Sequence, residues 1–578
     1  MKFSRLAYYF SEIEKISSRL DITNLLAKLF QELKAEDIQN TIYLLQGRVA
    51  PQFEKIEFGI AEKTVIKSIV LALNIEKRFF ENQYHKIGDL GETVEDFKKQ
   101  IISFDQEDLE LNEVFRRLYQ LASSGGTGSQ EVKINILTSL IRQLDPLSCR
   151  FLIRISLGIM RLGFSDMTVL DAFSWMLKGD KSLRKEIEQA YHVRPDLGQI
   201  GYLLKTEGIK TINKIVPQIF TPIIMMRAER LSSGVEIIEK IGKCAVEPKY
   251  DGFRLQIHYS RQKDEVRIYS RNLEEVSYMY PDIIAGVKKE VTAQEIIFEG
   301  EAIGFDPETG NFLPFQETVQ RKRKYEITAK SQEIPLKLFA FELLYKNGEN
   351  FINQHFSIRR QTLAGSFKLK DNIYQDVIVL APQTEEEKAE NIEQLFEKAI
   401  GKGLEGIIAK KLDGIYQPGA RGWNWIKFKR SYSAKINDTL DCLVMGYDFG
   451  KGKRVGFGIG AFLVGIYDAK EEKFKTVAKI GTGLTDVEWK ELQERCTKIQ
   501  TKNQPKNYLV DKQMAVDVWV EPKIIVEIRT DEITKSPIHT AGLALRFPRL
   551  EKFRSDKSIY DATSLDEIKK MLALQVKN

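Results

Sequence analysis

The segment with the clearest chemical potential is Glu-Pro-Lys-Tyr-Asp-Gly-Phe-Arg, residues 247–254. It places Lys249 two residues before Asp251 and five before Arg254, and Gly252 lets the backbone turn tightly. A lysine that attacks a nucleotide α-phosphate needs such neighbours, because the aspartate can hold the ammonium group and the arginine can meet phosphate or ribose. Alone, the pattern is only moderately specific, since surface loops are rich in these residue types.

Six more stretches downstream carry further candidates for phosphate chemistry. A lysine with an ordinary pKa of about 10.4 is protonated at neutral pH, so a lysine nucleophile needs activation by cations or desolvation. Lys427 and Lys429, together with a divalent metal, are the candidates for that role. The six stretches are Ser270–Asn272, Phe298–Glu301, Phe339–Tyr345, Leu404–Lys410, Arg421–Lys429 and, near the C-terminus, Arg546–Arg549 with Phe553–Lys557.

In order and spacing, these segments closely resemble motifs I, Ia, III, IIIa, IV, V and VI of the ATP-dependent DNA ligases. That family belongs to the covalent nucleotidyltransferases, with RNA ligases and mRNA capping enzymes, and the resemblance covers essentially the whole chain. It implies that Lys249 is adenylylated by ATP, that AMP moves to the 5′-phosphate of a nick, and that the 3′-hydroxyl expels AMP. The implied cofactors are ATP and Mg²⁺ or another divalent cation, and the implied partner is nicked double-stranded DNA.

The resemblance also assigns roles to individual residues. Glu247 resembles the residue that reads the adenine edge, Phe341 the aromatic that stacks on adenine, and Lys427 the α-phosphate contact. Without the resemblance, Phe341 would be interpreted as a core residue of an apolar strand. The implied nucleotide-binding set is Glu247, Arg254, Arg271, Glu301, Phe341, Arg421 and Lys427. The implied metal ligands are Glu301 and Glu405, and the supporting residues are Asp251, Lys429 and, from the C-terminal motif that moves onto the triphosphate, Arg554, Asp556 and Lys557.

Three loops are candidates for contact with DNA. Residues 123–130 form a Gly-Ser turn before a helical stretch, where backbone N–H groups can hold a phosphate. Residues 161–165 form a second turn, and residues 450–454 offer cations to a duplex backbone. Plain turns and a solvated hairpin tip are the alternative interpretations. The expected DNA-binding residues are Gly128, Ser129, Arg161, Gly163, Lys451, Lys453 and Arg454.

Hydrophobic periodicity predicts three domains. Residues 1–215 read as an all-α domain, in which Leu26, Leu29 and Phe30 share a helix face and Thr23 is a candidate N-cap. Alternation with a period of two begins near residue 245, so residues 216–430 are predicted to be α+β. The resemblance implies that the first is the DNA-binding domain and the second the nucleotidyltransferase (adenylylation) domain. Short strands and glycine-rich turns then predict an all-β OB-fold domain over residues 431–578.

Composition sets limits on the class of protein. Of the 578 residues, 43% are hydrophobic and 29% are charged, as in ordinary globular proteins, and no uncharged apolar stretch approaches the length of a membrane span. The N-terminus lacks a signal-peptide core, so we expect a cytoplasmic protein with no membrane partner. The four cysteines lie far apart and match neither a zinc site nor a disulfide framework. The net charge of +6 is compatible with a polyanionic partner without being diagnostic of one.

Other functions remain open from the sequence. An RNA ligase would share the lysine motif, although the helical N-terminal region speaks against it. An NAD-dependent ligase should carry a zinc-binding cysteine cluster, which this sequence lacks. A non-catalytic nick-binding clamp is a further alternative that the intact lysine, glutamates and cations argue against. We expect a monomer, and recruitment by a sliding clamp stays open.

Contacts to the phosphate backbone should dominate binding to DNA, because the expected DNA-binding residues are cations and backbone amides. We therefore predict that the affinity for nicked duplex falls steeply with salt, by ~0.9 in log K per unit of log[salt] for each phosphate neutralised. We also predict little preference for base sequence. Titration of a nicked duplex from low to high salt, with two unrelated sequences, measures both. A flat salt response would contradict the prediction.

Overall fold

The computed structural model describes residues 1–101, 106–313, 315–322, 327–370, 372, 374–402, 404–429, 439–450 and 452–577. The chain divides into two compact units, Met1–Phe428 and Lys429–Asn578. Within the described ranges, no helix is both long enough and apolar enough to cross a membrane.

The first 212 residues fold as helices around one apolar core. Helix α2 packs on α10, where the rings of Phe30 and Phe173 lie 5.2 Å apart. Ser18, whose hydroxyl accepts from the amide of Asp21, caps α2. The prediction that Thr23 is the cap was wrong, because Thr23 lies one turn inside the helix. The helices are α1 (Phe3–Glu14), α2 (Arg19–Glu32), α3 (Ala35–Leu45), α4 (Glu62–Leu73), α5 (Lys77–Ile87), α6 (Leu90–Gln100), α7 (Leu111–Ser123), α8 (Ser129–Gln143), α9 (Pro146–Ser156), α10 (Asp166–Lys178), α11 (Arg184–Val193), α12 (Leu197–Thr206) and α13 (Ile209–Ile212).

Two β-sheets and their helices form the rest of the first unit. One sheet has the strand order β1-β11-β10-β2-β9, and the other has the order β4-β3-β5-β6-β7 with β8 beside β6. The strands are β1 (Arg227–Arg230), β2 (Cys244–Lys249), β3 (Phe253–Ser260), β4 (Glu265–Ser270), β5 (Glu295–Gly304), β6 (Leu336–Lys346), β7 (Glu349–Asn350), β8 (Ile378–Leu380), β9 (Thr384–Glu386), β10 (Gly406–Lys411) and β11 (Arg421–Lys429). The helices are α14 (Gly234–Ile241), α15 (Pro281–Glu290), α16 (Phe315–Thr318), α17 (Ile327–Glu333), α18 (Phe356–Ala364) and α19 (Ala389–Gly401).

Alternation along the strands separates an apolar face of each sheet from a polar one. In the first sheet, Val246 and Ile407 pack in a core with Phe396 of α19, and Phe396 stacks on Phe428 with ring centroids 3.9 Å apart. In the second sheet, the apolar face packs on α15. Because successive side chains point to opposite faces, the charged residues at alternate positions collect on the other side of each sheet. This arrangement gathers the candidate site residues.

Over its described residues, the second unit is dominated by strands, with two α-helices added. Its main sheet has the order β15-β17-β12-β13-β14-β16, with β18 beside β12 and β21 beside β18, and β19 pairs with β20. The fold class predicted from the sequence is thus confirmed across the chain. The strands are β12 (Thr439–Phe449), β13 (Ile459–Asp468), β14 (Lys473–Ile480), β15 (Gln500–Thr501), β16 (Tyr508–Leu509), β17 (Val518–Val520), β18 (Ile525–Arg529), β19 (Glu532–Lys535), β20 (Leu543–Arg546) and β21 (Arg549–Phe553), and the helices are α20 (Asp486–Thr497) and α21 (Leu565–Lys577).

A buried ion pair ties α18 to strand β6. The guanidinium of Arg359 donates to both carboxylate oxygens of Glu342, at 2.7 and 2.9 Å, and to the backbone carbonyls of Gln354 and Gly414. Both side chains are fully buried. Removing only one member of such a pair leaves an uncompensated charge in the interior.

We therefore predict that Arg359→Leu lowers the free energy of unfolding of the first unit by about 3–5 kcal/mol. Chemical denaturation followed by circular dichroism measures the change. Adding Glu342→Leu in the same chain should recover part of the loss, because both charges are then absent. Arg116→Leu, which breaks an exposed pair with Glu113 on α7, serves as the control and should have no measurable effect. Unchanged stability in Arg359→Leu would contradict the prediction.

Candidate functional site

Lys249 is the last residue of β2, and the neighbouring strand β10 brings Glu405 to it. The two strands pair antiparallel, with Lys249 opposite Gly406. The amide of Glu405 donates to the carbonyl of Lys249, and the Lys249 ammonium forms an ion pair with the Glu405 carboxylate. The strand register therefore joins two segments that lie more than 150 residues apart in sequence.

The surroundings of Lys249 favour its neutral, nucleophilic form. Burial lowers the pKa of Lys249, and the positive charges of Arg254 and Arg271 act in the same direction, whereas Glu301 and Asp251 raise it. Only the unprotonated amine can attack phosphorus, so a lysine nucleophile needs a lowered pKa. Lys249 meets this requirement. The ion pair with Glu405 holds the amine in place while it is protonated.

Glu301 lies on β5, directly opposite Arg254 of β3. Burial raises the pKa of Glu301 to about 7, although Lys249 and Arg254 oppose the shift. The carboxyl group therefore changes charge near neutral pH, beside the candidate nucleophile.

The turn between β2 and β3 depends on a glycine. A side chain at Gly252 would place its first carbon 2.3 Å from the carbonyl oxygen of Ala302, so the close approach of the turn to β5 excludes other residues. Asp251, in the same turn, is exposed. The backbone thus fixes where Lys249 and Arg254 stand relative to Glu301.

Glu301 and Glu405 are the candidate metal ligands. Among the described residues, no group of three or more His, Cys, Asp or Glu side chains could hold a metal ion. Mg²⁺ is commonly bound by one or two carboxylates with substrate oxygens and waters completing its shell. The two carboxylates, each interacting with Lys249, fit a cation of that kind that shares its ligands with a bound phosphate.

Several positive charges act on Lys427. Burial, together with the charges of Arg230, Lys249, Arg421 and Arg271, lowers the pKa of Lys427 to about 8. Within the described part of the chain, Lys427, Arg421 and Arg271 have no carboxylate ion-pair partner. Cations gathered in this way bind anions, and a polyphosphate satisfies several of them at once. Lys429, also predicted to take part, is the last residue of β11.

A buried carboxylate, Glu247, lies two residues before Lys249 on strand β2. Glu247 is 3% exposed and accepts a 2.7 Å ion pair from Lys410 through Oε2. Its Oε1 is buried and has no hydrogen-bond partner in the described residues. Burial raises the pKa of Glu247, whereas Lys410 and Arg360 lower it. An unsatisfied buried acceptor of this kind suits an N–H donor on a ligand, such as the exocyclic amine of adenine.

Lys410 is a site residue that the sequence argument missed. It donates to the carbonyl of Phe341 at 2.9 Å, and its ammonium lies 4.9 Å from the Phe341 ring and 4.7 Å from the Trp425 ring. Through Glu247 and Phe341, Lys410 joins the predicted base-reading and base-stacking residues. Position alone could have found it, since it ends the same motif that contains Glu405.

Arg254 is held by Glu299, a second residue whose role the sequence did not reveal. Glu299 is fully buried and accepts from Arg254 at 2.7 Å and from the hydroxyl of Tyr416 at 3.0 Å. The guanidinium of Arg254 also lies 5.6 Å from the ring of Phe341, which is half-buried. The polar network therefore fixes the arginine and the aromatic face in one arrangement.

A cavity of about 950 Å³ adjoins the C-terminal half of β2, and Val246, Glu247 and Pro248 line it. It lies between the two sheets and α19, and its lining includes Tyr250 and Phe339, whose rings stack at 4.2 Å. Lys249 and Lys427 do not line it. The cavity therefore neighbours the cationic site and is separate from the position of the lysine amine.

The two predicted DNA loops of the helical region differ in character. Gly128 (φ +83°) precedes α8, Ser129 begins that helix, and the space beside Gly128 is open. In contrast, Arg161 (φ +57°) forms a 2.7 Å ion pair with Asp89 and donates to the carbonyl of Gly88. Gly163 follows in the same turn with φ +75°. The contact with Asp89 gives Arg161 a structural role in this turn, and its contact with DNA stays a prediction.

The cationic loop of the second unit is described only in part. Lys451 lies outside the described residues, and so does the side chain of Lys453. Arg454 donates to the carbonyl of Gly460 at 2.9 Å, and its guanidinium lies 5.3 Å from the ring of Trp489. These contacts anchor Arg454 at the base of the loop.

The cations of the C-terminal motif are paired with carboxylates of their own unit. Arg554 donates to Asp556 at 2.7 and 2.9 Å, and to Asp441 and Glu527 at 3.3 and 3.2 Å. Lys557 also pairs with Asp441. Asp556 thus orients Arg554, and these two cations, unlike Lys427, are already neutralised within the protein.

Three family models match this chain in succession. Residues 2–174 match the DNA ligase N terminus, residues 225–429 the ATP dependent DNA ligase domain, and residues 456–557 the ATP dependent DNA ligase C terminal region. A "Probable DNA ligase" of Dictyoglomus thermophilum is 45% identical, with 100% of this chain and 98% of the relative covered. A "DNA ligase" of Saccharolobus solfataricus is 39% identical over the same shares. The solved structure "Pmar-Lig_PreS3" has the same fold, with a TM-score of 0.54, 17% identity, and 95% and 99% of the two chains covered. The chain therefore belongs to the family of ATP-dependent DNA ligases.

Proposed function

We propose that this ligase seals nicks in duplex DNA by three phosphoryl-group transfers that begin at Lys249. The observation that carries the assignment is the environment of that lysine. Its pKa is lowered by burial, it interacts with the carboxylates of Glu405 and Glu301, and it adjoins Lys427 and Arg271, which have no carboxylate ion-pair partner in the described chain. This combination suits a neutral amine attacking a highly charged phosphate ester.

In the first step, the unprotonated amine of Lys249 attacks the α-phosphorus of ATP. A P–N bond forms, the bond to pyrophosphate breaks, and the nitrogen loses a proton to give lysyl-AMP. Lys427 and Arg421 offset the charge that develops on the phosphate oxygens. Glu247 accepts a hydrogen bond from the adenine amine through Oε1, and Phe341 stacks on the base.

In the second step, a 5′-phosphate oxygen of the nick attacks the α-phosphorus of lysyl-AMP, and the P–N bond breaks. In the third, the 3′-hydroxyl attacks the 5′-phosphorus, loses its proton and displaces AMP. Arg271 and Lys427 are placed to stabilise the phosphates during these transfers. Glu301 and Glu405 would hold the divalent cation, which neutralises phosphate charge when bound.

The biological setting follows from this chemistry. Nick sealing serves DNA replication, repair and recombination, and the substrate is nicked double-stranded DNA. We infer that the protein acts as a cytoplasmic monomer.

The nucleophile assignment predicts a covalent adduct. With α-labelled ATP and Mg²⁺, wild-type protein should retain label on denaturing electrophoresis, and Lys249→Ala should not, because the P–N bond has no other donor. Unlabelled nicked DNA should discharge the adduct. Lys289→Ala, on α15 and away from the polar sheet face, is the matched control. Sealing by Lys249→Ala would refute the assignment, and discharge by nicked RNA but not by nicked DNA would indicate an RNA ligase.

The shifted ionisations predict a bell-shaped pH profile for adenylylation. Below pH about 7, Glu301 becomes protonated and loses the carboxylate that the site requires. Above pH about 8, Lys427 loses its positive charge. The ratio kcat/KM for ATP, which reports the free enzyme, should therefore be highest between these values. In Lys427→Arg the alkaline limb should move to higher pH, because arginine stays protonated. If the alkaline limb does not move in Lys427→Arg, a group other than Lys427 causes it.

A further inference from the structure

The exposed Arg227 belongs to the cationic site, although no family motif or comparison assigns it a role. It is the first residue of β1, which pairs in parallel with β11, and its register partner is Arg421. The amide of Arg227 donates to the carbonyl of Ala420 at 3.0 Å, which fixes the start of this pairing. Neighbouring residues in register project from the same face of a sheet, so the two arginines stand side by side.

A third guanidinium group completes this cluster. Desolvation lowers the pKa of Arg271, and the positive charges of Arg254, Arg227 and Arg421 lower it further, while Glu301 opposes them. Within the described residues, Arg227, Arg271 and Arg421 have no carboxylate ion-pair partner. The first sheet supplies Arg227 and Arg421, and the turn after β4 of the second sheet supplies Arg271, so the fold holds three mutually repelling guanidinium groups near one another. An anion would relieve the repulsion.

Arg227 lies apart from the amine of Lys249, as the charges that act on each group indicate. The positive charges that lower the pKa of Lys427 are those of Arg230, Lys249, Arg421 and Arg271. The charge of Arg227 instead lowers the pKa values of Arg271 and His192. Arg271 and Arg421 are therefore shared between two groups of cations. One group surrounds Lys249, and the other extends along β1 toward α11, which carries His192.

We propose that Arg227, together with Arg271 and Arg421, binds a terminal phosphate monoester, namely the 5′-phosphate of the nick. A phosphate monoester carries almost two negative charges and three acceptor oxygens, and the planar guanidinium group matches it with two parallel hydrogen bonds. A phosphodiester elsewhere in the backbone carries one charge and needs fewer cations. The γ-phosphate of ATP has the same chemistry as a terminal phosphate, so the test must separate the two sources. The proposal rests on the ligase function proposed above.

The test compares nicked duplexes that end in a 5′-phosphate or a 5′-hydroxyl. Enzyme that has first been adenylylated is mixed with each duplex in EDTA, which prevents transfer, and the dissociation constants are measured by fluorescence anisotropy. Wild type should prefer the 5′-phosphate. Arg227→Leu should reduce that preference about 10-fold, as expected for losing a charge-assisted hydrogen bond. Arg227→Lys, which keeps a point charge without the planar fork, should retain part of it.

Lys289→Leu is the matched control, because Lys289 is an exposed cation on α15, behind the apolar face of the second sheet. It should leave the preference unchanged. The proposal is overturned if Arg227→Leu keeps the full preference. It is also overturned if Arg227→Leu raises the KM for ATP while the preference remains, since the phosphate would then belong to the nucleotide. Circular dichroism checks folding, and Arg227→Gln replaces the leucine variant if that variant does not fold.

Failure of the underlying function gives a different result. If wild type accepts no label from ATP, or if its adduct is not discharged by nicked DNA, the ligase function fails before Arg227 is tested. If wild type passes both checks and only the 5′-phosphate preference is insensitive to Arg227, the inference about Arg227 alone is wrong.

Discussion

Electrostatic repulsion among cations contributed by both sheets of the first unit is the constraint on which the site depends. Lys249, Lys427, Arg271 and Arg421 lie close enough to perturb one another's ionisation, as the lowered pKa values of the first three indicate. In an ordinary protein surface, carboxylates would be interspersed among such groups. Here the two sheets hold the cations together, so the folded protein carries an unfavourable interaction that a bound phosphate converts into a favourable one.

Rigid polar networks next to the site make this arrangement possible. Glu299 fixes Arg254, and the Glu342–Arg359 pair fastens α18 to β6. Each pair is buried and well hydrogen-bonded, so neither member can move to neutralise a cation of the site without leaving a charge uncompensated. The carboxylates of Glu299 and Glu342 are thus committed to other arginines. Glu405 pairs with Lys249 itself, and Glu301 also acts on Lys249.

Sequence patterns predicted the strands better than they predicted which side chains pair with one another. Motif order identified Lys249, Glu405 and Lys427, and strand register then brought them together. The partnerships of Lys410 with Glu247 and of Glu299 with Arg254 depend on which residues face each other across strands, and a single sequence carries no direct signal of register.

Local competition explains other differences between prediction and structure. A serine or threonine in a helical stretch can cap the helix or lie inside it. Ser18, rather than Thr23, caps α2, because the helix begins at Arg19, one turn before Thr23. Arg161 was predicted from its turn to face DNA. The structure adds an ion pair with Asp89, which no pattern within the turn itself could reveal, since Asp89 lies 72 residues earlier.

The two sets of cations predicted to meet phosphate therefore differ in their ground states. Lys427, Arg271 and Arg421 have no carboxylate ion-pair partner in the described chain, so binding phosphate costs them little beyond desolvation. Arg554 and Lys557 are engaged by Asp441, Glu527 and Asp556, and phosphate must compete with these carboxylates. Cations that are needed in every transfer step are best left unpaired, so that they are always ready to bind phosphate. Cations that are needed only while pyrophosphate departs can pair with carboxylates of their own unit between turnovers. A triphosphate carries more negative charge than those carboxylates, so its binding can draw the cations away from them.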